Sequence, residues 1–178
     1  MNKLSVREID IQDIDLICNY WLSADKDYLH SMGADINKVP SHDQMYNMLS
    51  QQVTQSNEEK QSYALIWEEN GHAIGHCNIN KIVYGQEAYM HLHIWKEDGR
   101  KKGRGAALVK MSLPYFFENF HLHDLYSEPY ALNPAPNRAL EKAGFQLVKE
   151  YITTPGYLNF EQPVKLWQMS YDTYQQLK

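Results

Sequence analysis

The sequence predicts an α/β domain, partly segregated in the manner of α+β folds, with the order β-α-α-β-β-β-α-β-α-β-β. Three observations predict it. Along the 178-residue chain the apolar residues switch between the alternating pattern of strands and the three-to-four spacing of helices. Asn70-Gly71 separates two strand-like runs, a strong hairpin signal. An apolar alternating run, Glu87 to Trp95, passes through a basic, glycine-bearing turn into a helical pattern. With 43% hydrophobic residues, this length suffices for one domain with a full core, residues 1–178.

Taken in order, Leu4 to Arg7 reads as a short strand. A helix follows from about Ile11 to Ala24, with Ile11, Ile14, Ile17, Cys18 and Trp21 on one face. Residues Asp25 to Pro40 show no clear period. Ser41 and Gln44 fit a capping box that opens a second helix ending near Gln55. Ser62 to Glu68, His72 to Val83 and Glu87 to Trp95 form an antiparallel meander. The helix after the basic turn carries Leu108, Met111, Tyr115 and Phe116 at helical spacing, and Pro114 should kink or shorten it at a cost of roughly 3 kcal/mol if unrelieved. His123 to Ala131 reads as the next strand. Asn133 is an N-cap, Pro134 suits the first helical position and Gly144-Phe145 is a stop, so a short helix lies between them. Phe145 to Thr153 and Val164 to Tyr171 are two closing strands.

Composition narrows the function classes. No apolar run approaches the ~20 residues of a membrane span, and the N-terminus M-N-K-L-S-V-R-E-I-D is too charged for a signal peptide, so a cytoplasmic protein without a membrane partner is expected. Cys18 and Cys77 lack metal or redox spacing and read as reduced, partly buried thiols. The formal charge is -5, yet Arg100, Lys101, Lys102 and Arg104 crowd one turn. Local and global charge disagree, which points to a specific anion. Gly103 and Gly105 let the backbone approach a ligand, and the first amides of the following helix lack intrahelical acceptors, so a pyrophosphate fits there. Because that cluster is assigned to pyrophosphate, nucleic acid is disfavoured. A dinucleotide fingerprint lacks its third glycine, and no Gly-Lys-Ser/Thr is present for a P-loop.

The string Arg100-Lys101-Lys102-Gly103-Arg104-Gly105 resembles the R/Q-x-x-G-x-G/A loop of the GNAT superfamily of acyl-CoA-dependent N-acetyltransferases, where it wraps the pyrophosphate of coenzyme A. A second stretch, Asn133-Pro-Ala-Pro-Asn-Arg-Ala-Leu-Glu-Lys-Ala-Gly-Phe145, resembles the family's Asn-headed helix ending in E-K-x-G-F. The resemblance covers nearly the whole chain. It implies the GNAT fold, a mixed, mostly antiparallel central sheet in which two strands splay apart around the pantetheine arm. It also implies acetyl-CoA as co-substrate and no metal. The cofactor contacts it implies are Ile94, Trp95 and Lys96 on the central strand, Arg100 to Gly105 with Ala106 at the loop, and Asn133 and Asn137 at the Asn-headed helix.

On a strand, Tyr89, His91, His93 and Trp95 share one face, opposite Met90, Leu92 and Ile94. Two histidines therefore point together. A zinc site needs a third ligand that the sequence does not obviously offer, and a polar sheet face is the plain alternative. Glu128-Pro129, five residues before Asn133, resembles the aminoglycoside 6'-N-acetyltransferases and hydroxylysine siderophore acetyltransferases, with RimJ/RimL-like enzymes as the neighbouring branch. In those the strand before the loop carries an aspartate or histidine, here His91 or His93. A salt-bridging surface glutamate is the plain reading of Glu128.

The implied reaction is direct attack of a neutral amine on the acetyl thioester in a ternary complex. Deprotonating a lysine-like amine of pKa near ~10.4 at pH 7 costs on the order of 4–5 kcal/mol, so an acid must hold the ammonium and a base must drain its proton. Glu128 and His91 or His93 suit those roles, and a backbone amide of the central strand would meet the developing oxyanion. Many family members carry a general-acid tyrosine where this chain has Leu140; Tyr126 or Tyr130 is the expected substitute, unless the thiolate leaves unaided. A small cationic acceptor is favoured, with a peptide or protein N-terminus, or a non-catalytic acyl-CoA-binding module, as the alternatives. The expected assembly is a monomer or homodimer.

Overall fold

The computed structural model describes residues 2–95 and 103–178. The described strands form one seven-stranded sheet in the order β1-β2-β3-β4-β5-β7-β6. They are β1 (Leu4–Glu8), β2 (Ser62–Glu69), β3 (His72–Val83), β4 (Glu87–Ile94), β5 (Asp124–Ser127), β6 (Gln146–Thr153) and β7 (Gln162–Ser170). Every neighbouring pair is antiparallel except β4 and β5, which run parallel. Six helices are described: α1 (Ile14–Ser23), α2 (Lys26–Ser31), α3 (His42–Thr54), α4 (Arg104–Phe120), α5 (Pro134–Ala143) and α6 (Tyr171–Gln176). None is long and apolar enough to cross a membrane.

The main core joins one sheet face to α4, α5 and α6. Tyr63, Leu65 and Trp67 of β2, Cys77 and Ile79 of β3, and Ala88 and Met90 of β4 meet Leu108, Val109, Leu113, Phe116, Phe117 and Phe120 of α4. Each fully buried Leu, Ile, Val, Phe or Met among them contributes roughly 1.5–3 kcal/mol by leaving water. The Trp67 indole still needs an acceptor inside this core, and the Ser112 hydroxyl supplies it at 2.9 Å. A smaller cluster, Ile14, Cys18 and Met45 with Trp21 and Leu49, joins α1 to α3. Cys18 and Cys77 are both free and buried.

Several expected boundaries move. The first helix begins as a 3₁₀ turn, Ile11–Asp13, where the Asp10 and Asp13 carboxylates make a capping box, and Ile11 is exposed rather than on the buried face. The aperiodic stretch after it contains α2, capped by Asp25 through the Tyr28 amide; only Leu29 is buried there, so no period could announce it. The strand read over His123–Ala131 is continuous only as Asp124–Ser127, with an isolated bridge from Tyr130 to Val164 beyond it. The last strand starts at Gln162 and ends at Ser170, whose side chain caps α6, so Tyr171 opens a helix. In α4 the helix continues through Pro114 for 17 residues. Pro114 leaves the Lys110 carbonyl without its helical donor, and Lys110 lies on the exposed face of the helix. Met111 is exposed, and the buried face passes through Val109, Ser112 and Leu113 instead.

Candidate active site

The feature that positions the site is a divergence of β4 and β5. They pair over Glu87↔Asp124, Ala88↔Leu125 and Tyr89↔Tyr126, and no further. At the fork the Ser127 hydroxyl donates to the Met90 carbonyl at 2.8 Å. Beyond it the chain follows β7, with the Lys165 amide on the Pro129 carbonyl at 3.2 Å and the Ala131 amide on the Pro163 carbonyl at 2.8 Å. A wedge of about 90 Å³ opens between the separated strands, lined by His91, His93, Glu128, Tyr130 and Asn133 among others. A larger cavity of about 460 Å³ adjoins it and shares His91 and His93; α1 and α3 contribute Trp21, Met45 and Leu49 to its wall.

The two histidines differ in their surroundings. His91 Nε2 lies 3.1 Å from Asn80 Oδ1 on β3. Burial and then the charge of Lys81 push its pKa down to about 4, so its imidazole is neutral at physiological pH. The His93 ring stacks on His76 with centroids 4.6 Å apart, and its Nδ1 lies 3.3 Å from the Tyr20 hydroxyl. Trp95 donates from Nε1 to His76 Nδ1 at 2.7 Å. Burial, with a smaller contribution from His91, pushes His76 down to about 3. Among the described residues no group of three or more His, Cys, Asp or Glu side chains is arranged to hold a metal ion.

Glu128 is buried at the mouth of the fork. The Tyr151 phenol donates to its Oε1, and Lys81 Nζ stands 3.8 Å from its Oε2. Burial raises its pKa above the ordinary carboxylate value, and Lys81 and Lys149 oppose that rise. Lys81 also lies over the Tyr89 ring, 4.6 Å from the centroid. Tyr126, named from the sequence as a substitute acid, is on the closed part of the fork. It stacks on Tyr89 at 5.3 Å and accepts from Gln168 Nε2 at 3.4 Å, and it is Tyr130 that lines the wedge. Leu140 is fully buried in the main core.

Gly103 adopts φ 68° and ψ 10° as the N-cap of α4. That left-handed backbone suits glycine, and a Cβ there would meet no atom of the described residues within 4 Å. Among the described residues no side chain caps the helix. The first amides of α4, over Arg104, Gly105 and Ala106, lack intrahelical acceptors and carry the positive end of the helix dipole, the property for which the sequence assigned a pyrophosphate to this turn. Arg104 itself departs from expectation: its guanidinium is tied to Glu69 at 2.7 Å with both side chains largely buried, so it braces the end of β2. Lys96, Arg100, Lys101 and Lys102 lie outside the described residues. Asn133 caps α5 through the Ala135 amide at 3.3 Å. Asn137 is buried, donates to the Tyr130 and Asn133 carbonyls at 3.1 and 2.7 Å, and accepts from Trp167 Nε1 at 2.8 Å. Its side chain holds the wall of the wedge together. The Trp95 amide is bonded to the Ile74 carbonyl at 2.9 Å, and Ile94 packs partly against the core.

Residues 3–146 match the family model of the acetyltransferase (GNAT) domain. The chain belongs to the GNAT family. Among solved structures, this GNAT protein is similar to spermidine N-acetyltransferase from Vibrio cholerae in complex with CoA and spermine, at TM-score 0.77 and 19% identity over 97% of this chain and 98% of that one. It is also similar to a dodecameric structure of the Vibrio cholerae spermidine N-acetyltransferase, at TM-score 0.72 and 19% identity over 96% and 95% of the two chains. Mutant forms of the Vibrio cholerae spermidine/spermine N-acetyltransferase SpeG align at TM-score 0.74 and 19% identity over 99% of each chain. At such identities the likeness establishes the GNAT fold. No curated protein sequence matches the chain significantly. The enzyme is an acetyl-CoA-dependent N-acetyltransferase, with acetyl-CoA as co-substrate.

Asn80, His76, Tyr20 and Lys81 were not singled out from the sequence. For His76 and Asn80 a signal existed. The Asn70-Gly71 hairpin and strand alternation put His76, Asn78 and Asn80 on one face of β3, and the register sets them against His93, His91 and Tyr89. Lys81 escapes that parity because the register shifts between Asn80 and Val83.

Proposed function

We propose that the enzyme transfers the acetyl group of acetyl-CoA to the primary amine of a small cationic molecule by direct attack in a ternary complex. The observation that carries this reading is the fork of β4 and β5, which opens beside a buried carboxylate, Glu128, and a neutral imidazole, His91, at the wall of the adjoining cavity. Glu128 holds the ammonium. His91, which burial keeps neutral and so with a free lone pair, relays the proton through water as the amine approaches the thioester. The nitrogen bonds to the acetyl carbon, the carbon–sulfur bond breaks, and the proton still carried by the nitrogen passes through water to the departing sulfur or to solvent, so that coenzyme A leaves as thiol or thiolate. A thiol pKa near ~8.5 makes that departure tolerable without a strong general acid, and Tyr130 rather than Tyr126 is the phenol placed in the wedge.

The small-molecule acceptor is supported by the cavity of about 460 Å³, a volume in the range of small-molecule sites. The similar solved structures are enzymes named for spermidine, itself a small amine. Thiol release from acetyl-CoA across a panel of polyamines, arylalkylamines, aminoglycosides, hydroxylysine and peptides tests the reading. Release with peptides alone would overturn the small-molecule acceptor, and coenzyme A binding without release on any amine would overturn transfer. For assembly we keep the monomer or homodimer; sedimentation giving a dodecamer, as in one similar structure, would overturn it.

A further inference from the structure

Lys81 sits where β3 is irregular. Pairing with β4 runs to Asn80↔Tyr89 and resumes at Val83↔Glu87, and Lys81 takes the left-handed conformation, φ 48°, between them. In a regular strand Asn80 and Lys81 would point to opposite faces; the bulge lets both line the cavity that His91 and His93 share. The ammonium then rests between Glu128, 3.8 Å away, and the face of Tyr89, 4.6 Å from the centroid. A carboxylate and an aromatic face are what an acceptor ammonium would seek. The enzyme's own lysine already stands in that place.

The wall of the cavity adds a second observation. Its described lining residues include no aspartate or glutamate, and Lys81 is the one lysine or arginine among them. Trp21, Met45 and Leu49 supply apolar surface, and Asn78 and Asn80 supply neutral polar groups. Glu128 is itself flanked by a further cation, Lys149, which lies over the Tyr151 ring at 4.5 Å. One carboxylate thus faces two lysines before any acceptor arrives. A single ammonium can displace Lys81, whose side chain is half exposed and free to move into water. A second or third ammonium on the same acceptor would enter a cavity with no described carboxylate to meet it and a lysine to repel it.

We propose that Lys81 is a specificity-determining residue that restricts the acceptor to a molecule with one amine and an uncharged, largely apolar body, and discriminates against polycations. This rests on the small cationic amine as acceptor and narrows it. The discrimination is electrostatic and partly repulsive, so reversing the charge at this one position reverses the preference.

The test compares phenethylamine with spermidine at low salt, by thiol release from acetyl-CoA, in wild type, Lys81→Met and Lys81→Glu, with thermal melting to verify that the variants fold. For wild type, kcat/KM for phenethylamine should exceed that for spermidine by about tenfold or more, Lys81→Met should narrow the gap, and Lys81→Glu should invert it. A wild type that prefers spermidine, or a ratio that neither substitution moves, overturns the proposal. If neither amine releases thiol although coenzyme A binds, acetyl transfer to small amines is what fails. Calorimetric affinities of the two amines for the coenzyme A-bound protein then decide on selectivity alone: the same order and the same inversion uphold it, and equal affinities overturn it.

Discussion

His91 Nε2 stands 3.1 Å from the Oδ1 of Asn80 on the adjacent strand. An amide oxygen only accepts, so Nε2 carries the hydrogen and Nδ1 keeps the lone pair that a proton acceptor requires. Asn80 is thereby a positioning residue for His91. Asn80→Leu should lower kcat by about 10–100-fold with little change in KM, because it frees the tautomer and ring orientation without touching the acceptor's ammonium. The same substitution in a His91→Gln background should cost almost nothing further. Additive losses measured in that double-mutant cycle would separate Asn80 from His91.

Two depressed imidazoles make stability pH-dependent. His91 is held to about 4 and His76 to about 3 in the fold, against an unfolded value near ~6.5. Between those values the unfolded chain binds more protons than the folded one, so stability rises with pH through this window and is lost as pH falls from about 6.5 toward 4. Above pH 7 neither group contributes a slope. Urea unfolding at pH 7.5, 6 and 5 should show a progressive fall, and His76→Gln should flatten it. A stability unchanged down to pH 5 would contradict the buried, neutral state of both rings.

The sheet was legible because its signals are local: Asn70-Gly71 sets the first hairpin, and alternation puts Met90 in the core and His91 and His93 opposite. The second helix was legible for the same reason, since Ser41 and Gln44 cap it from three residues apart. What the sequence concealed depends on distant partners. Arg104 looked like one of four charges for a phosphate until its partner Glu69, 35 positions earlier, was placed 2.7 Å away. Tyr126 and Tyr130 were indistinguishable until the fork set one stacked on Tyr89 in the closed part and the other in the wedge. Lys81 could be placed only after the β3 bulge broke the parity on which strand faces are counted.

Gly103 offers a test of the anion seat that separates backbone from charge. At φ 68° an L-residue is strained by roughly 1–2 kcal/mol, so Gly103→Ala should lower stability by about that amount while coenzyme A affinity falls little. Gly103→Asp carries a similar strain and sets a carboxylate at the N-terminus of α4, against the bound pyrophosphate. Its affinity for coenzyme A, measured by calorimetry, should fall by about tenfold or more relative to the alanine variant. Equal affinities in the two variants would place the pyrophosphate elsewhere.

If Glu128 holds the amine and His91 takes its proton, as proposed above, kinetics can tell the two roles apart. Burial raises the Glu128 pKa above the ordinary carboxylate value, and Lys81 and Lys149 limit that rise. Glu128→Gln keeps the shape and the hydrogen bond from Tyr151 but removes the charge. It should raise KM for the amine by about tenfold or more and change kcat by less than about threefold, the signature of lost binding rather than lost chemistry. His91→Gln should do the reverse, lowering kcat by about 10²–10⁴-fold with KM nearly unchanged. The acidic limb that His91 sets in wild type should lie near its pKa of about 4, well below the usual histidine range, and vanish in the variant. A limb near 6.5 that survives His91→Gln but is lost in His93→Ala would transfer the proton-accepting role to His93. If instead Glu128→Gln lowers kcat and leaves KM alone, the carboxylate is the base and the ammonium is held by another group.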